Sequence, residues 1–408
     1  MIYSEAYDVD NVNGIIKDIA HRTPIADFLR KFEAEGTLDV YGVDGKQITD
    51  TTRFIRSGMV VRHKREEKTL EEFKVLVNRR AENLLGKESL DTIPTSADTE
   101  MIAGVDQYNG NRIIVYKQEC LDWNDATSVV WEWEATAALG YIDFDTAGVI
   151  NATKRKIDGI ADAKIRYNEF YGGYVVAAAC GQGYFCLIDY ETKECLYSYS
   201  DSTEVNPHAV ELLPDGNMVV ASSVGNSVTI YAATQGDNRG YFARYYLKSA
   251  HGLLWDSNLN VLWALGMNEL VAYKLSGTIE KPELVVEKMY DVPTKMEEEG
   301  HDLYPIYGED NKLWITVSKE VYQFDTVTGT FSTDFLLNNK VRGQYNKSIG
   351  NQPFSDTVVV AYPSEGNSWR TDTIHLFRPV DKGNYALESH TQKGTGYYKA
   401  RVWYPKYH

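Results

Sequence analysis

The stretch Asn206–Tyr231, NPHAVELLPDGNMVVASSVGNSVTIY, decides the fold. It contains three short apolar runs, His208–Leu213, Met218–Ser222 and Ser227–Tyr231, separated by the turns Pro214-Asp215-Gly216-Asn217 and Gly225-Asn226. A fourth run, Ala243–Leu247, follows. Runs of about five residues bounded by Gly, Asn and Asp read as strands, and four such strands joined by short turns make one propeller blade. Moving outward, comparable units begin near Asp162, Pro207, His251, His301 and Arg342. Three units open on histidine, in Asn206-Pro207-His208, Ala250-His251-Gly252 and Gly300-His301-Asp302, which lie 43 and then 50 residues apart. That interval is the length of one blade, roughly 40–50 residues.

The first unit has only three strands, Ile102–Val105, Ile113–Tyr116 and Val129–Trp133, and lacks an innermost one. The C-terminus holds a spare strand, Lys399–Tyr404, and closing the ring with it would remove open sheet edges. The expected fold is therefore all-β: a six-bladed β-propeller over residues 99–408, closed by the C-terminal strand. A seventh blade could hide in the 134–160 connection. Residues 1–65 read as a small α+β module, rich in strand. Asn13–Ile16, Leu38–Tyr41 and Val60-Val61 supply strands, Asp44-Gly45 a turn, and Thr23–Leu29 a short N-capped helix. Asp8, Asp10 and Asn13 do not make a calcium loop, because no glutamate closes it. In residues 66–98 the spacing of Leu70, Phe73, Val77, Ala81 and Leu84 behind Thr69-Leu70-Glu71-Glu72 predicts a helix ended by Gly86. A linker over 87–100 follows.

The composition narrows the class of function. With 29 Tyr and 8 Trp the chain is rich in residues that suit pleated surfaces or stack on sugar rings. A formal charge of −16 argues against a nucleic-acid partner and against an anionic membrane. No run is long enough for a transmembrane helix. The four cysteines (Cys120, Cys180, Cys186 and Cys195) show no zinc spacing. Cys180 and Cys186 flank a hairpin and could bridge it, although free buried thiols are the simpler expectation.

On a propeller, His208, His251 and His301 would each begin an inner strand and ring one mouth of a central channel. Neutral imidazole ligates zinc, manganese and iron, and three such ligands leave positions open for substrate. The three histidines are thus candidate ligands for a divalent metal ion (Mn, Zn or Ca), with Asp302 and Glu211 placed to orient the rings. No organic cofactor is expected. The remaining inner strands begin on cations: Lys164 and Arg166, Arg342 and Lys347, Lys399 and Arg401. Together they would create a local positive field for a glycan or small anionic ligand, which arginine could clamp through two hydrogen bonds. Lys164, Arg166, Arg342 and Lys347 are candidate ligand contacts, and Tyr304, Lys399 and Arg401 are candidate catalytic residues. Tyr397 and Tyr398 could serve as a base or a stacking platform. Plainer readings compete. In WD-repeat propellers a Gly-His before the inner strand is a folding device, and cations between blades can simply be ion-paired. Here the Trp-Asp signature is absent and only half of the six units carry the histidine, which is uneven for such a device.

Two resemblances extend this picture. The segments NGIIKDI, TPIADFLRKFEAEGTLDVYGVDGKQIT and GMVV resemble small β-rich modules appended to secreted clostridial surface proteins and glycan-degrading enzymes. That implies part of a larger extracellular or cell-surface protein of a Gram-positive bacterium, although Met1-Ile2-Tyr3-Ser4 begins no signal peptide. The runs NPHAVELLPDGNMVVASSVGNSVTIY, AHGLLWDSNLNVLWALGMNELVAY and GHDLYPI look like a secreted bacterial propeller family without an assigned activity. They are locally similar to oligogalacturonate-lyase-like propellers, which implies a metal on His208, His251 and His301 and a cation neutralising a uronate carboxylate. The His-X-His pair of those enzymes is absent. His208 followed by Leu212-Leu213-Pro214-Asp215-Gly216-Asn217 is also similar to arylsulfotransferase-like strands, which implies a histidine accepting a sulfuryl group. The expected function is binding of an acidic glycan in the funnel, with a metal-dependent lyase or a hydrolase as its catalytic form. A non-catalytic carbohydrate-binding or adhesion module and sulfuryl transfer stand as alternatives.

Overall fold

In a computed structural model of the chain, the residues described are 2–20, 23–41, 47–49, 51, 55, 59–66, 68–77, 93–108, 112–135, 159–235, 241–294, 299–367, 369–381 and 383–408. The N-terminal part forms strands Asp8–Asp10 (β1) and Ile15–Ile19 (β2), the short helix Ile25–Leu29 (α1), and strands Thr37–Tyr41 (β3), Val60–Arg65 (β4) and Lys68–Val77 (β5). The five strands make one sheet in the order β1-β2-β5-β4-β3. Ile16, Ile19, Phe28, Val61, Phe73 and Val75 form its core.

Strand β5 corrects the helix expected over 66–86. Phe73, Val75 and Val77 also alternate with period two, and Phe73 and Val75 point into the core. Parallel pairing with β2 and antiparallel pairing with β4 supply the backbone hydrogen bonds that a helix would otherwise have made locally. The sheet therefore runs past the boundary expected at residue 65. Helix α1 forms without a side-chain cap: Pro24 occupies the cap position, and the Thr23 hydroxyl donates to the Ala20 carbonyl instead. Asp44-Gly45, Ala81, Leu84, Gly86 and most of the 134–160 connection lie outside the described residues.

The rest of the chain repeats one unit. Its strands are Met101–Asp106 (β6), Arg112–Lys117 (β7), Val129–Trp133 (β8), Ile160–Asn168 (β9), Gly173–Cys180 (β10), Tyr184–Asp189 (β11) and Cys195–Ser200 (β12). They continue with Pro207–Leu212 (β13), Met218–Ser222 (β14), Ser227–Tyr231 (β15), Phe242–Tyr246 (β16), Gly252–Asp256 (β17), Val261–Leu265 (β18), Glu269–Thr278 (β19) and Lys281–Asp291 (β20). Then come Gly300–Pro305 (β21), Lys312–Val317 (β22), Val321–Asp325 (β23), Thr330–Ser332 (β24), a single helical turn Asn338–Val341 (α2), Ser348–Asn351 (β25), Val358–Ala361 (β26), Thr373–Asp381 (β27), Asn384–Thr391 (β28) and Tyr397–Val402 (β29). They form six four-stranded antiparallel sheets, five of consecutive strands and a sixth in the order β29-β6-β7-β8. Repeated sheets of this kind are propeller-like.

The first strands carry the site. β9, β13, β17, β21, β25 and β29 touch in that order, and β29 also touches β9. Apolar side chains pack between neighbouring sheets, as Val219 and Val228 do with Leu253 and Leu262. Close approach of first strands needs glycine in places. A Cβ on Gly252 would lie 2.7 Å from the Leu303 Cβ and 3.1 Å from the Leu265 Cβ. Gly252→Ala is therefore expected to destabilise the protein by about 1–3 kcal/mol through overpacking, read as a lower urea midpoint at unchanged slope. Cys180, Cys186 and Cys195 are buried and Cys120 is half-buried. Cys180 pairs with Tyr184 and Cys186 with Ala178, so the hairpin does not set the two sulfurs opposite each other. No helix among the described residues is long and apolar enough to cross a membrane.

Candidate functional site

The histidines project where they do because of one repeated irregularity. In β13 the register steps from Pro207–Ser222 to Ala209–Ala221, leaving His208 as the extra residue of a bulge. In β21 it steps from Gly300–Val317 to Asp302–Thr316, and His301 is the extra residue. Ala161 holds the same place in β9, and Tyr398 lies in the corresponding irregularity of β29. His251 and Lys347 stand just before β17 and β25, and their amides donate to the Leu265 and Ala361 carbonyls, already the partners of the next residue. A bulge re-aims one side chain without disturbing the rest of the ladder. Six equivalent positions, Ala161, His208, His251, His301, Lys347 and Tyr398, thus line one cavity of about 530 Å³. Gln107, Gln182, Asn206 and Glu299 extend its wall, and Trp369 and Arg370 reach it from the loop after β26.

The imidazoles are held neutral. Burial pushes His251 down to about 4, and it holds His208 and His301 well below the ordinary histidine range. Lys347 and Lys399 add repulsion against protonation. The His251 Nδ1–H donates to the Ser249 carbonyl at 2.8 Å, so Nε2 carries the lone pair. His208 Nδ1 shares a hydrogen bond of 3.0 Å with the Tyr398 hydroxyl, whose proton burial holds above the usual tyrosine range. The Lys347 ammonium donates to His301 Nε2 at 3.2 Å, which leaves His301 Nδ1 buried and without a partner among the described residues. Burial lowers Lys347 to about 8, so it is charged at neutral pH.

Beneath this floor lies a buried ionic layer. Arg401 reaches Asp162 at 2.7 Å and clamps Asp302 with two bonds of 2.7 and 2.8 Å. Lys399 donates to Asp302 and to the His208 carbonyl, both at 3.0 Å, and to the His251 carbonyl at 3.4 Å. Arg166 grips Glu211 at 2.9 and 3.0 Å, and Lys164 joins it at 3.3 Å. Two arginines and two lysines thus face three carboxylates, and burial pushes both lysines below the ordinary lysine range. Asp162 and Asp302 are held below the usual carboxylate range: burial alone would raise them, but Arg401 and Lys399 outweigh it.

The structure therefore sorts the sequence-derived residues. His208, His251, His301 and Lys347 meet at one cavity. Lys164, Arg166, Lys399 and Arg401 do not line it; they are ion-paired deeper in, because they stand further along β9 and β29 than Ala161 and Tyr398. Tyr304 is buried there as well, donating to the Val402 carbonyl at 2.9 Å. Arg342 is exposed, immediately after α2, and takes no part. The donors that could converge on a cation are His251, Glu299 and His301, whose ligand atoms lie within 4.8 Å of one another; His208 is not among them. Glu299, Gln107, Gln182, Asn206, Trp369 and Arg370 escaped the sequence reading. Only Trp369-Arg370 left a signal, a large aromatic beside a cation in a Ser/Gly/Asn-rich loop.

Neutral buried histidines make stability depend on pH. Each binds a proton more weakly folded than unfolded, so its stabilising contribution is complete above about pH 6.5 and is lost as pH falls through the depressed folded value. The unfolding free energy is expected to drop between pH 6.5 and 4 by about 1.4 kcal/mol per pH unit for each histidine that must be protonated. Urea titrations at pH 7 and 5 check this, and equal stabilities would contradict neutral, buried rings.

Among known proteins, the model of a family of unknown function (DUF6528) matches residues 110–383. No curated protein matches the chain. The chain is similar to a solved structure titled "Crystal Structure of Mitotic Checkpoint Complex", at 11% identity with a TM-score of 0.42, over 73% of this chain and 82% of that one.

Proposed function

The chain belongs to that family of unknown function, and from its site we propose that it binds a small anionic ligand, the carboxylate-bearing sugar of an acidic glycan, in the cavity over His208, His251, His301, Lys347 and Tyr398. We read the six sheets as blades of a six-bladed propeller closed by β29, which makes the cavity the mouth of its central channel. The pairing of β29 with β6 and its contact with β9 support that reading. An exported setting, expected from the likeness of the N-terminal module, belongs to the same proposal.

One observation carries it: the Lys347 ammonium lies 3.2 Å from the neutral His301 ring inside the cavity, whose wall also holds Glu299. The Glu299 carboxylate on the wall acts on the same ammonium, so an entering carboxylate meets a partly compensated cation in a desolvated place, where charge-assisted hydrogen bonds are strongest. The lone pair on His251 Nε2 gives the same cavity a base beside that cation. With its conjugate acid held at about 4 that base is weak at neutral pH, so the pairing suits binding of the carboxylate better than proton abstraction for a β-elimination. Calorimetric titration of the metal-free protein with galacturonate and mannuronate oligomers at pH 7 tests binding. Ultraviolet absorbance of unsaturated product then separates a lyase from a binding module. No heat with any uronate would defeat the proposal.

A second reading has its own support in the convergence of His251, Glu299 and His301. Zinc or manganese would be held by these three residues rather than by the three histidines. Bonds near 2.1 Å bring donor atoms to within roughly 4 Å of one another, so the set must contract slightly, and Lys347 opposes the cation. Elemental analysis of the purified protein, followed by zinc titration of wild type and Glu299→Gln, decides it; equal affinities would remove the metal.

A further inference from the structure

We propose that the site reads the end of an acidic glycan chain, with one sugar ring in the cavity and the next ring stacked on Trp369. The inference rests on the anionic-sugar reading above and deepens it. Two features of the molecule carry it independently of which uronate is bound.

The first is that the cavity has a floor. The six bulge positions are followed inward by Asp162, Lys164, Glu211, Asp302, Lys399 and Arg401, all at most 2% exposed and joined by the ion pairs described above. The tail beyond β29 lies across the same strands further on. Tyr407 donates to the Leu212 carbonyl at 2.8 Å, and the Ser257 amide donates to the His408 carbonyl at 3.0 Å. A polymer cannot thread past these groups, and one that lay across the mouth would not bring an internal ring down to Lys347. With Lys347 only 9% exposed on that floor, a terminal ring reaches it more readily than an internal one. The cavity volume, about 530 Å³, is in the range of sites for single small molecules.

The second feature is the rim. Trp369 is 49% exposed, although large aromatic side chains are normally covered. The Arg370 guanidinium stands 5.4 Å from the Trp369 ring and 5.4 Å from the Tyr108 ring, so it lies between two aromatics. It also donates to the Gln107 carbonyl at 3.5 Å, on the cavity wall. Gly396 leaves room for this packing, because a Cβ there would lie 2.9 Å from Arg370 Cδ. The loop that presents the pair is folded on itself: the Ser364 amide donates to the Arg370 carbonyl at 3.2 Å and the Asn367 amide to the Ser364 carbonyl at 2.9 Å. The rim is therefore a held aromatic surface with a cation beside it. An acidic sugar ring fits it on both counts, its C–H face on the indole and its carboxylate toward Arg370.

Calorimetry with the full chain and galacturonate and mannuronate oligomers of one to four rings tests the proposal. Affinity is expected to rise about tenfold from one ring to two and to change little with further rings. Trp369→Ala should abolish that gain, so that one-ring and two-ring ligands bind the variant alike, and Lys347→Met should weaken every oligomer alike. A gain that survives Trp369→Ala, or affinity that keeps climbing with length, would overturn chain-end reading while the anionic site stands. No binding of any uronate by the wild-type chain would overturn both.

Discussion

Replacing Arg401 with leucine is expected to destabilise the protein by about 3–5 kcal/mol, among the largest losses available from one side chain. Arg401 is 1% exposed and is the hub between Asp162 on β9 and Asp302 on β21. Its removal leaves both carboxylates buried with part of their charge uncompensated, since among the described cations only Lys399 then bonds Asp302 and the nearest to Asp162 is Lys164 at 3.8 Å. Each carboxylate also accepts a backbone amide from the neighbouring first strand, Val210 to Asp162 at 3.2 Å and Ile349 to Asp302 at 3.3 Å. The damage should thus spread across several sheets. Urea unfolding of Arg401→Leu measures it. Asp302→Asn in the same background should cost less than the sum of the two single changes, because the residues act as one network. The exposed pair Arg30–Asp27 provides the contrast: at 74% and 53% side-chain exposure its loss should be worth less than about 1 kcal/mol. A small effect of Arg401→Leu would mean that water reaches the layer.

The same network marks where the sequence was legible and where it was not. The repeat in Asn206–Tyr231 reads correctly to within a residue, because every strand there is short, apolar and closed by a turn whose chemistry is local. The histidines and Lys347 are legible for a related reason, since each stands at a fixed offset from an apolar run. Lys164, Arg166, Lys399 and Arg401 look like mouth residues only if strands alternate without interruption. The bulge residues Ala161 and Tyr398 take the mouth instead, the cations stand further along β9 and β29, and no local signal announces a bulge. Arg342 is misplaced because a helical turn, α2, intervenes and the strand proper starts at Ser348. Residues 68–77 fit helical and strand periods equally, and the choice is made by β2 and β4, which lie far away in sequence. Trp369 and Arg370 belong to a loop, where no periodicity exists to be read.

Lys347→Met separates the two chemistries proposed for the cavity because they require opposite outcomes. For an anionic ligand the ammonium is the principal attraction. Deleting a charge-assisted bond in a desolvated site should weaken uronate binding by about 1.5–3 kcal/mol, a loss of roughly ten- to a hundredfold. For a cation on His251, Glu299 and His301 the same ammonium is a repulsion 3.2 Å from a ligand ring. Its removal should tighten zinc or manganese binding. The pH profile carries the same sign. Lys347 is charged below about 8 and loses its proton above it, so wild-type affinity for a uronate should fall by up to tenfold per pH unit beyond that point. In Lys347→Met the affinity should be low and flat across that range. A sugar carboxylate is ionised throughout, and the histidines are already neutral there, so neither can imitate the decline. The folded protein should also gain stability between pH 8 and the ordinary lysine value near 10.4, because only the unfolded chain still binds that proton. Calorimetry of the two proteins between pH 6.5 and 9.5, with a uronate oligomer and separately with zinc, measures all of this. Uronate affinity unchanged in Lys347→Met would remove the cation from the anion site and with it the reading of the cavity.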